Sequence, residues 1–306
     1  MKILVATEKP FAPAAIEQIR AVVWAEDHEL VLLENYKSVS EFQSAISDTD
    51  ALIVRSDQVT EEILSAARKL KIVVRAGAGY DNLDLDACTA HGVVAMNTPG
   101  QNSNAVAELV FTMMLYQARG GFSGNIGTEL RGKTLGIHAF GNVGRYVAEI
   151  GRGLGMITYA HDPFVNDNVI TASGAKVCRR EDELYSTCQY VSLHLPANSE
   201  TVRSIGYGLL INMPFNAVLV NSARKELINE EDLLRIFESR PDFKYLADVE
   251  PDCRPLFEEK HKGRFLFTDK KMGAQTKEAN MNAGIAAAKQ IISYFKTGNE
   301  KFRVNK

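Results

Sequence analysis

Long apolar runs are absent from this sequence. Its most apolar stretch, residues 105–116, is too short to cross a bilayer and carries Glu108, so no membrane span is expected. An excess of charge of one sign is also missing. Lys and Arg number 35 against 38 Asp and Glu, a net charge of −3. That near balance gives no global electrostatic reason to bind nucleic acid or an anionic membrane, while leaving room for a local basic pocket for a small anion. Cysteine is sparse. Cys88, Cys178, Cys188 and Cys253 are far apart, form no CxxC and have no paired histidine nearby. Neither a disulfide framework nor a metal site is suggested, and reduced thiols in a cytoplasmic protein are expected. Repeats and low-complexity segments are lacking. The N-terminal MKILVATEKP has Glu8 early and no cleavage-site pattern, so it reads as a first strand rather than a signal peptide.

What is present is an ordinary globular composition, 45% hydrophobic over 306 residues, enough for about two domains. Strands are expected at 2–7, 30–34, 51–54, 71–75 and 93–97, with helices at 13–23, 39–47, 61–67 and 85–91 between them. Pro13 suits the first turn of its helix. After a helix over 104–117 the alternation restarts. Strands are expected at 134–140, 157–160, 190–195, 217–222, 244–249 and 265–269, with a helix at 144–153 and a last, Ala-rich helix at 278–297. Strands alternating with helices imply parallel sheets, and runs such as ALIV and KIVV suit strands covered on both faces. The fold class is α/β, with two such units.

The sharpest motif spans residues 135–145, LGIHAFGNVGR, which follows a strand and opens a helix. In this turn Gly141 lets the backbone approach a pyrophosphate and Gly144 lets the helix pack on the strand. Asn142 and Val143 lie just ahead of the helix at 144–153, whose N-terminal free N–H groups and dipole favour an anion. Ala139 stands where the GxGxxG pattern has its first glycine, a mild departure in size. Asp162 follows at the distance of a ribose-binding acid, where its charge would repel a 2′-phosphate, so NAD is expected rather than NADP.

Further segments carry a resemblance. GKTLGI (132–137), HLP (194–196), NSAR (221–224) and ADV (247–249) occur in this order, supported by VRS (54–56), VRAGAGYDN (74–82) and NTPGQNS (97–103). Over essentially its whole length the chain resembles D-isomer-specific 2-hydroxyacid dehydrogenases. It is most similar to the branch that acts on phosphoglycerate, in the short form without a C-terminal regulatory domain, so insensitivity to L-serine is expected. The resemblance implies a flavodoxin-like substrate domain at 1–97 plus 281–306 and a Rossmann-type NAD domain at 98–280. It implies a cleft that closes by hinge motion, and a homodimer. Residues 117–130 are shorter than the corresponding family segment.

The resemblance also implies roles. Arg224 matches the arginine that binds the substrate carboxylate and polarises the C2 oxygen, a task suited to a planar guanidinium. Asp248 matches the residue that meets the nicotinamide carboxamide. His194, Pro196, Ser222, Ala223 and Gly273 match cofactor-side positions. Gly77, Ala78 and Gly79 suit a carboxylate held by backbone N–H groups, with Ser56, Asn82 and Asn102 as further polar contacts. His138 reads as a core residue.

The acid/base site departs from the family. Counting back from Gly273, its histidine position holds Lys271. A lysine can take over if burial or a neighbouring cation such as Arg224 lowers its pKa. The family carboxylate aligns with Glu250 if a small deletion is allowed; without one, Cys253 falls near that place. Arg55 and Arg75 end two strands of the first unit, at the sheet edge that faces ligands, and two guanidiniums there suit a phosphorylated hydroxyacid. The reading is NAD-dependent oxidation of a phosphoglycerate, with no metal and a small-molecule substrate. A glyoxylate or hydroxypyruvate reductase, another hydroxyacid dehydrogenase, and a non-catalytic NAD-sensing regulator stay open beside it.

Overall fold

The computed structural model describes residues Met1–Lys306. They form two compact units, Met1–Asn102 with Gln275–Lys306 (unit 1) and Ser103–Ala274 (unit 2). The first division falls at the start of a helix and the second just ahead of one.

Unit 1 alternates β1 (Lys2–Thr7), α1 (Pro13–Trp24), β2 (Glu29–Glu34), α2 (Val39–Ile46), β3 (Ala51–Val54), α3 (Glu61–Ala66), β4 (Ile72–Arg75), α4 (Leu85–Ala90) and β5 (Val94–Asn97). The sheet is parallel throughout, in the order β2-β1-β3-β4-β5. That is the flavodoxin-like order, whose switch point lies between β1 and β3. β3 is buried at all four positions, which is why its sequence is an unbroken apolar run. Local signals set the helix starts. Pro13 occupies the first position of α1, and the Ser38 hydroxyl accepts the Glu41 amide at the start of α2.

Unit 2 opens with α5 (Ser103–Ala118), followed by β6 (Thr134–His138), α6 (Asn142–Gly153), β7 (Ile157–His161), α7 (Asp167–Ala172), β8 (Lys176–Val177), α8 (Glu181–Thr187), β9 (Tyr190–Leu193), α9 (Tyr207–Leu210), β10 (Val218–Asn221), α10 (Glu230–Ser239), β11 (Lys244–Ala247), α11 (Arg254–Lys260) and β12 (Phe265–Phe267). The seven strands are parallel in the order β12-β11-β10-β9-β6-β7-β8. This is the Rossmann order with one strand added, and its switch point lies between β6 and β9. Residues of α5 and α6 fill the core on one face, including Val110, Phe111, Val147 and Ala148. Leu184, Tyr185, Leu233, Ile236 and Phe257 fill the other. α7, β8, α8, α9, α10 and α11 go beyond the expected elements, and the expected strands of this unit run past the observed ends except the one at 157–160, which stops a residue short. The strand at 134–140, for example, stops at His138 because Ala139 turns to φ +76°.

The chain then returns to unit 1 as α12 (Lys277–Thr297), capped by the Thr276 side chain on the Ala279 amide and ended by Gly298 at φ +68°. Its small residues permit close approach to α1. A Cβ on Gly284 would stand 2.7 Å from Ile19 Cδ1. No helix is long and apolar enough to cross a membrane.

Candidate active site

The turn after β6 is shaped for an anion. The Ala139 amide donates to the His161 carbonyl at 2.9 Å. Asp162 then ties the turn together, its Oδ2 accepting the Phe140 amide at 2.7 Å and its Oδ1 the Phe164 amide at 2.8 Å. Each oxygen keeps a second lone pair for a ribose hydroxyl. Gly144 is required sterically, because a Cβ there would lie 2.4 Å from the Ala139 carbonyl oxygen. Gly141 is different. A Cβ would meet nothing within 4 Å, so the open side of this residue, at the N-terminus of α6, is room into which a pyrophosphate fits.

The departure at Ala139 is conformational rather than one of size. Its φ of +76° is costly for an L-residue, by about 1–2 kcal/mol, and free for glycine. Ala139→Gly is therefore expected to gain about 0.5–1 kcal/mol, after about 0.5–1 kcal/mol is returned through unfolded-chain entropy. Urea unfolding checks this, and a lower midpoint for the variant would contradict it.

A second group gathers at the ends of β10 and β11. Asn221, fully buried, accepts the Ala223 amide at 3.0 Å and donates to the Arg224 carbonyl at 2.9 Å, which fixes the bend that presents Arg224. Arg224 Nη1 donates to the Ala223 carbonyl at 3.1 Å, and Lys271 Nζ donates to the same oxygen at 2.5 Å. Lys271 also reaches the Ser222 carbonyl at 3.2 Å. Two cations thus converge on one carbonyl. Partial desolvation of the ammonium end, in a side chain still 44% exposed, pulls the Lys271 pKa below the usual lysine range; Asp248 opposes this and the Arg224 charge adds to it.

Asp248 is fully buried. Its Oδ2 accepts the Gly273 amide at 2.9 Å. Its Oδ1 lies 3.7 Å from Lys271 Nζ and has no hydrogen-bond partner. A buried, unsatisfied carboxylate oxygen suits a donor such as a carboxamide. The Ser222 hydroxyl is likewise buried without a partner. His194, at the end of β9, donates its amide to the His138 carbonyl, and its Nε2 lies 3.0 Å from the Ser192 hydroxyl. Burial, with His138 nearby, pushes its pKa down to about 3, so the ring is neutral. Pro196 accepts the Thr201 hydroxyl at 2.6 Å, which pins the turn after this strand.

Glu250 does not join this group. Its carboxylate binds Arg254 at 2.5 Å, and Arg254 also holds Glu258 and Asp269, each at 2.7 Å. The ion pair made by Lys271 is with Asp248 instead. Sequence reasoning placed Asp248 on the cofactor side alone and did not single out Asn221. The available signal was the preference of asparagine for turns in which its side chain accepts the amide two residues on, as Asn221 does from Ala223.

In unit 1, Arg55 follows β3 at the switch point. Its Nη1 donates to the carbonyls of Lys9 (2.9 Å) and Pro10 (3.0 Å), and its Nη2 to Asn280 Oδ1 (2.7 Å). Three of five guanidinium donors are thereby engaged, and two are left for an anion. Arg75 Nε donates to the Arg55 carbonyl at 2.9 Å. The Arg75 guanidinium lies across Gly77, where any Cβ would fall 1.5 Å from Nη1. The Gly77 amide is itself taken by the Arg75 carbonyl at 2.9 Å, so of the three loop amides those of Ala78 and Gly79 remain for a carboxylate. Asn82 clasps the Asp57 carbonyl at 2.7 Å. Ser56 is exposed and Asn102 half-buried. Asp57, which the sequence did not flag, organises this corner: buried, it accepts the Glu8 amide, the Tyr36 hydroxyl and the Arg55 amide.

Residues 3–305 match the family model described as D-isomer specific 2-hydroxyacid dehydrogenase, catalytic domain. The D-3-phosphoglycerate dehydrogenase of Pongo abelii is 34% identical over 279 residues, covering 85% of this chain and 51% of that protein. That of Methanocaldococcus jannaschii is 33% identical over 277 residues, covering 82% and 51%. The chain spans about half the length of these curated relatives. A crystal structure described as cofactor (NAD+)-bound 3-phosphoglycerate dehydrogenase of Entamoeba histolytica is 47% identical, with a TM-score of 0.87 over 100% of this chain and 99% of that one. A match across nearly every residue, together with the two sheet orders and the glycine turn, leads to one conclusion: the chain belongs to the D-isomer specific 2-hydroxyacid dehydrogenases.

Proposed function

We propose that the chain oxidises D-3-phosphoglycerate at C2 with NAD+, giving 3-phosphohydroxypyruvate, the entry step of serine synthesis. The convergence of Lys271 and Arg224 on the Ala223 carbonyl carries this reading. An amine and a permanently charged guanidinium donating to one oxygen support the pairing of a proton-exchanging group with a carboxylate-binding one. The open side of Gly141, the α6 N-terminus, Asp162 and the orphaned Asp248 oxygen are the features that would hold NAD. When bound, NAD+ accepts the hydride from C2.

Arg224 grips the substrate carboxylate and draws electron density from the C2 oxygen. Lys271, as the neutral amine, takes the hydroxyl proton during oxidation, and as the ammonium it returns the proton during reduction. The Ala78 and Gly79 amides add donors for the carboxylate, and Arg55 and Arg75 receive the phosphate. The extent to which Arg55 is already engaged favours a second reading, an unphosphorylated 2-hydroxyacid, because a phosphate needs more cationic donors than a methyl or hydroxymethyl group. Exposed Phe122 and Ile126 beyond α5 support a homodimer, and four free thiols support a cytoplasmic location.

NADH absorbance with 3-phosphohydroxypyruvate, glyoxylate, hydroxypyruvate and pyruvate tests the reading. A preference in kcat/KM of about 100-fold for the phosphorylated acid is expected, the worth of one or two charge-assisted hydrogen bonds. Turnover of the unphosphorylated acids alone would transfer the assignment to the second reading. Silence on all four with NADH still bound would make the chain an NAD-sensing regulator.

A further inference from the structure

A cluster on the α8-covered face of the unit 2 sheet has no part in the chemistry above. His138 and His161 are register partners at the last positions of β6 and β7, and both are buried. Strand alternation sends the two rings to the same side of the sheet, where their centroids lie 5.6 Å apart. Glu181, the first residue of α8, brings Oε1 to 3.4 Å from His138 Nε2. One donor atom from each of the three residues lies within 4.8 Å of the other two.

The hydrogen bonds around the rings prepare lone pairs. His161 Nδ1 is 3.0 Å from the Cys178 carbonyl, which can only accept, so Nδ1 carries the proton and Nε2 is a free donor of electrons. An imidazole anchored through its other N–H on a backbone carbonyl is the arrangement that metal-ligating histidines adopt. His138 Nδ1 lies 3.1 Å from the Tyr185 hydroxyl, which can accept a proton from Nδ1 and so leave Nε2 to a metal. On a tetrahedral zinc with Zn–N near 2.0–2.1 Å, ligand atoms stand about 3.3 Å apart and imidazole centroids about 5 Å apart. The His138–Glu181 separation already matches, and the ring separation is close. The Glu181 side chain is 45% exposed, so an ion can reach the cluster from solvent. Two nitrogens and one carboxylate favour a borderline transition metal over Mg2+ or Ca2+.

We propose that His138, His161 and Glu181 form a site for one divalent transition metal of the zinc type, with water as fourth ligand. The residues that follow the two histidines are Ala139 and Asp162, which build the dinucleotide turn, so a bound ion would clamp the strand ends that carry it.

Titration of the full chain with Co2+ tests this. The expected result is the intense visible absorption of four-coordinate Co2+, saturating at one equivalent, bleached by Zn2+, and free of a thiolate charge-transfer band. Glu181→Gln should weaken binding at least about 10-fold while NADH still binds, which keeps the test valid if His161→Gln, expected to abolish the signal, proves unstable. Co2+ that stays pale and six-coordinate, or a four-coordinate band of undiminished affinity in both variants, would overturn the proposal.

Discussion

Lys271→Ala lowers kcat in both directions by about 10²- to 10⁴-fold, the range that a positioned acid/base contributes, and leaves the NADH dissociation constant nearly unchanged. The expectation rests on where the amine sits. It donates to the main-chain oxygens of Ser222 and Ala223 and approaches Asp248 only to 3.7 Å, so its removal leaves those cofactor-side groups and the turn after β6 in place. The pH dependence has a definite sign. Oxidation needs the neutral amine, so its rate rises with pH through the Lys271 pKa, which burial has moved below the lysine value of 10.5. Reduction needs the ammonium and falls over the same range. Asp248 holds that pKa up, so Asp248→Asn at saturating NAD+ should move both limbs to lower pH. A wild-type rate in Lys271→Ala would remove this residue from the mechanism and turn attention to Lys270. An unmoved limb in Asp248→Asn would leave the carboxylate with a cofactor contact only.

Arg224→Gln is the second large effect. Losing one partner of a desolvated, hydrogen-bonded charge pair costs about 2–5 kcal/mol, which corresponds to a loss in kcat/KM of about 30-fold to several thousand-fold. Arg224→Lys should recover part of it, because an ammonium keeps the charge and loses the planar fork. The split between the constants is informative. A carboxylate contact alone raises KM, whereas polarisation of the C2 oxygen lowers kcat as well. Steady-state kinetics on the reduction separates the two, and a change confined to KM would restrict Arg224 to binding.

The strands were legible because each is a short, nearly continuous apolar run between polar turns, as ALIV and VLVN show. The glycine turn was legible for the same kind of reason, since its residues are adjacent. What stayed hidden is what distance in the chain conceals. Nothing in the order of residues announces that Lys271 and Ala223 share a hydrogen bond, or that Asp248 and Lys271 form a pair. The short helices α7, α8 and α9 offer too few turns for a periodic pattern. α10 did carry a signal, Asn229 ahead of Glu230, Glu231 and Asp232, which the structure uses as cap and first turn. Glu250 was singled out by its Glu-Pro dipeptide, and the structure pairs it with Arg254, four residues on. The conformation of Ala139 could not be read from its identity, since alanine seldom takes a positive φ.

The return of the chain through α12 has a consequence for how the protein is made. One apolar face of unit 1 is closed by α1 together with Ala287, Ala288, Ile291 and Ile292 of α12. Beside it, the Asn305 side chain accepts the Ala95 amide and donates to the Val93 carbonyl. On a ribosome, residues 1–102 emerge well before these partners. Unit 2 comes between them, roughly 170 residues that take about 10–30 s to translate. Unit 2 is one continuous segment and can complete its core during synthesis. Residues 1–102 therefore wait longer than unit 2 with their apolar strands uncovered, and that interval is when a nascent-chain chaperone has most to hold.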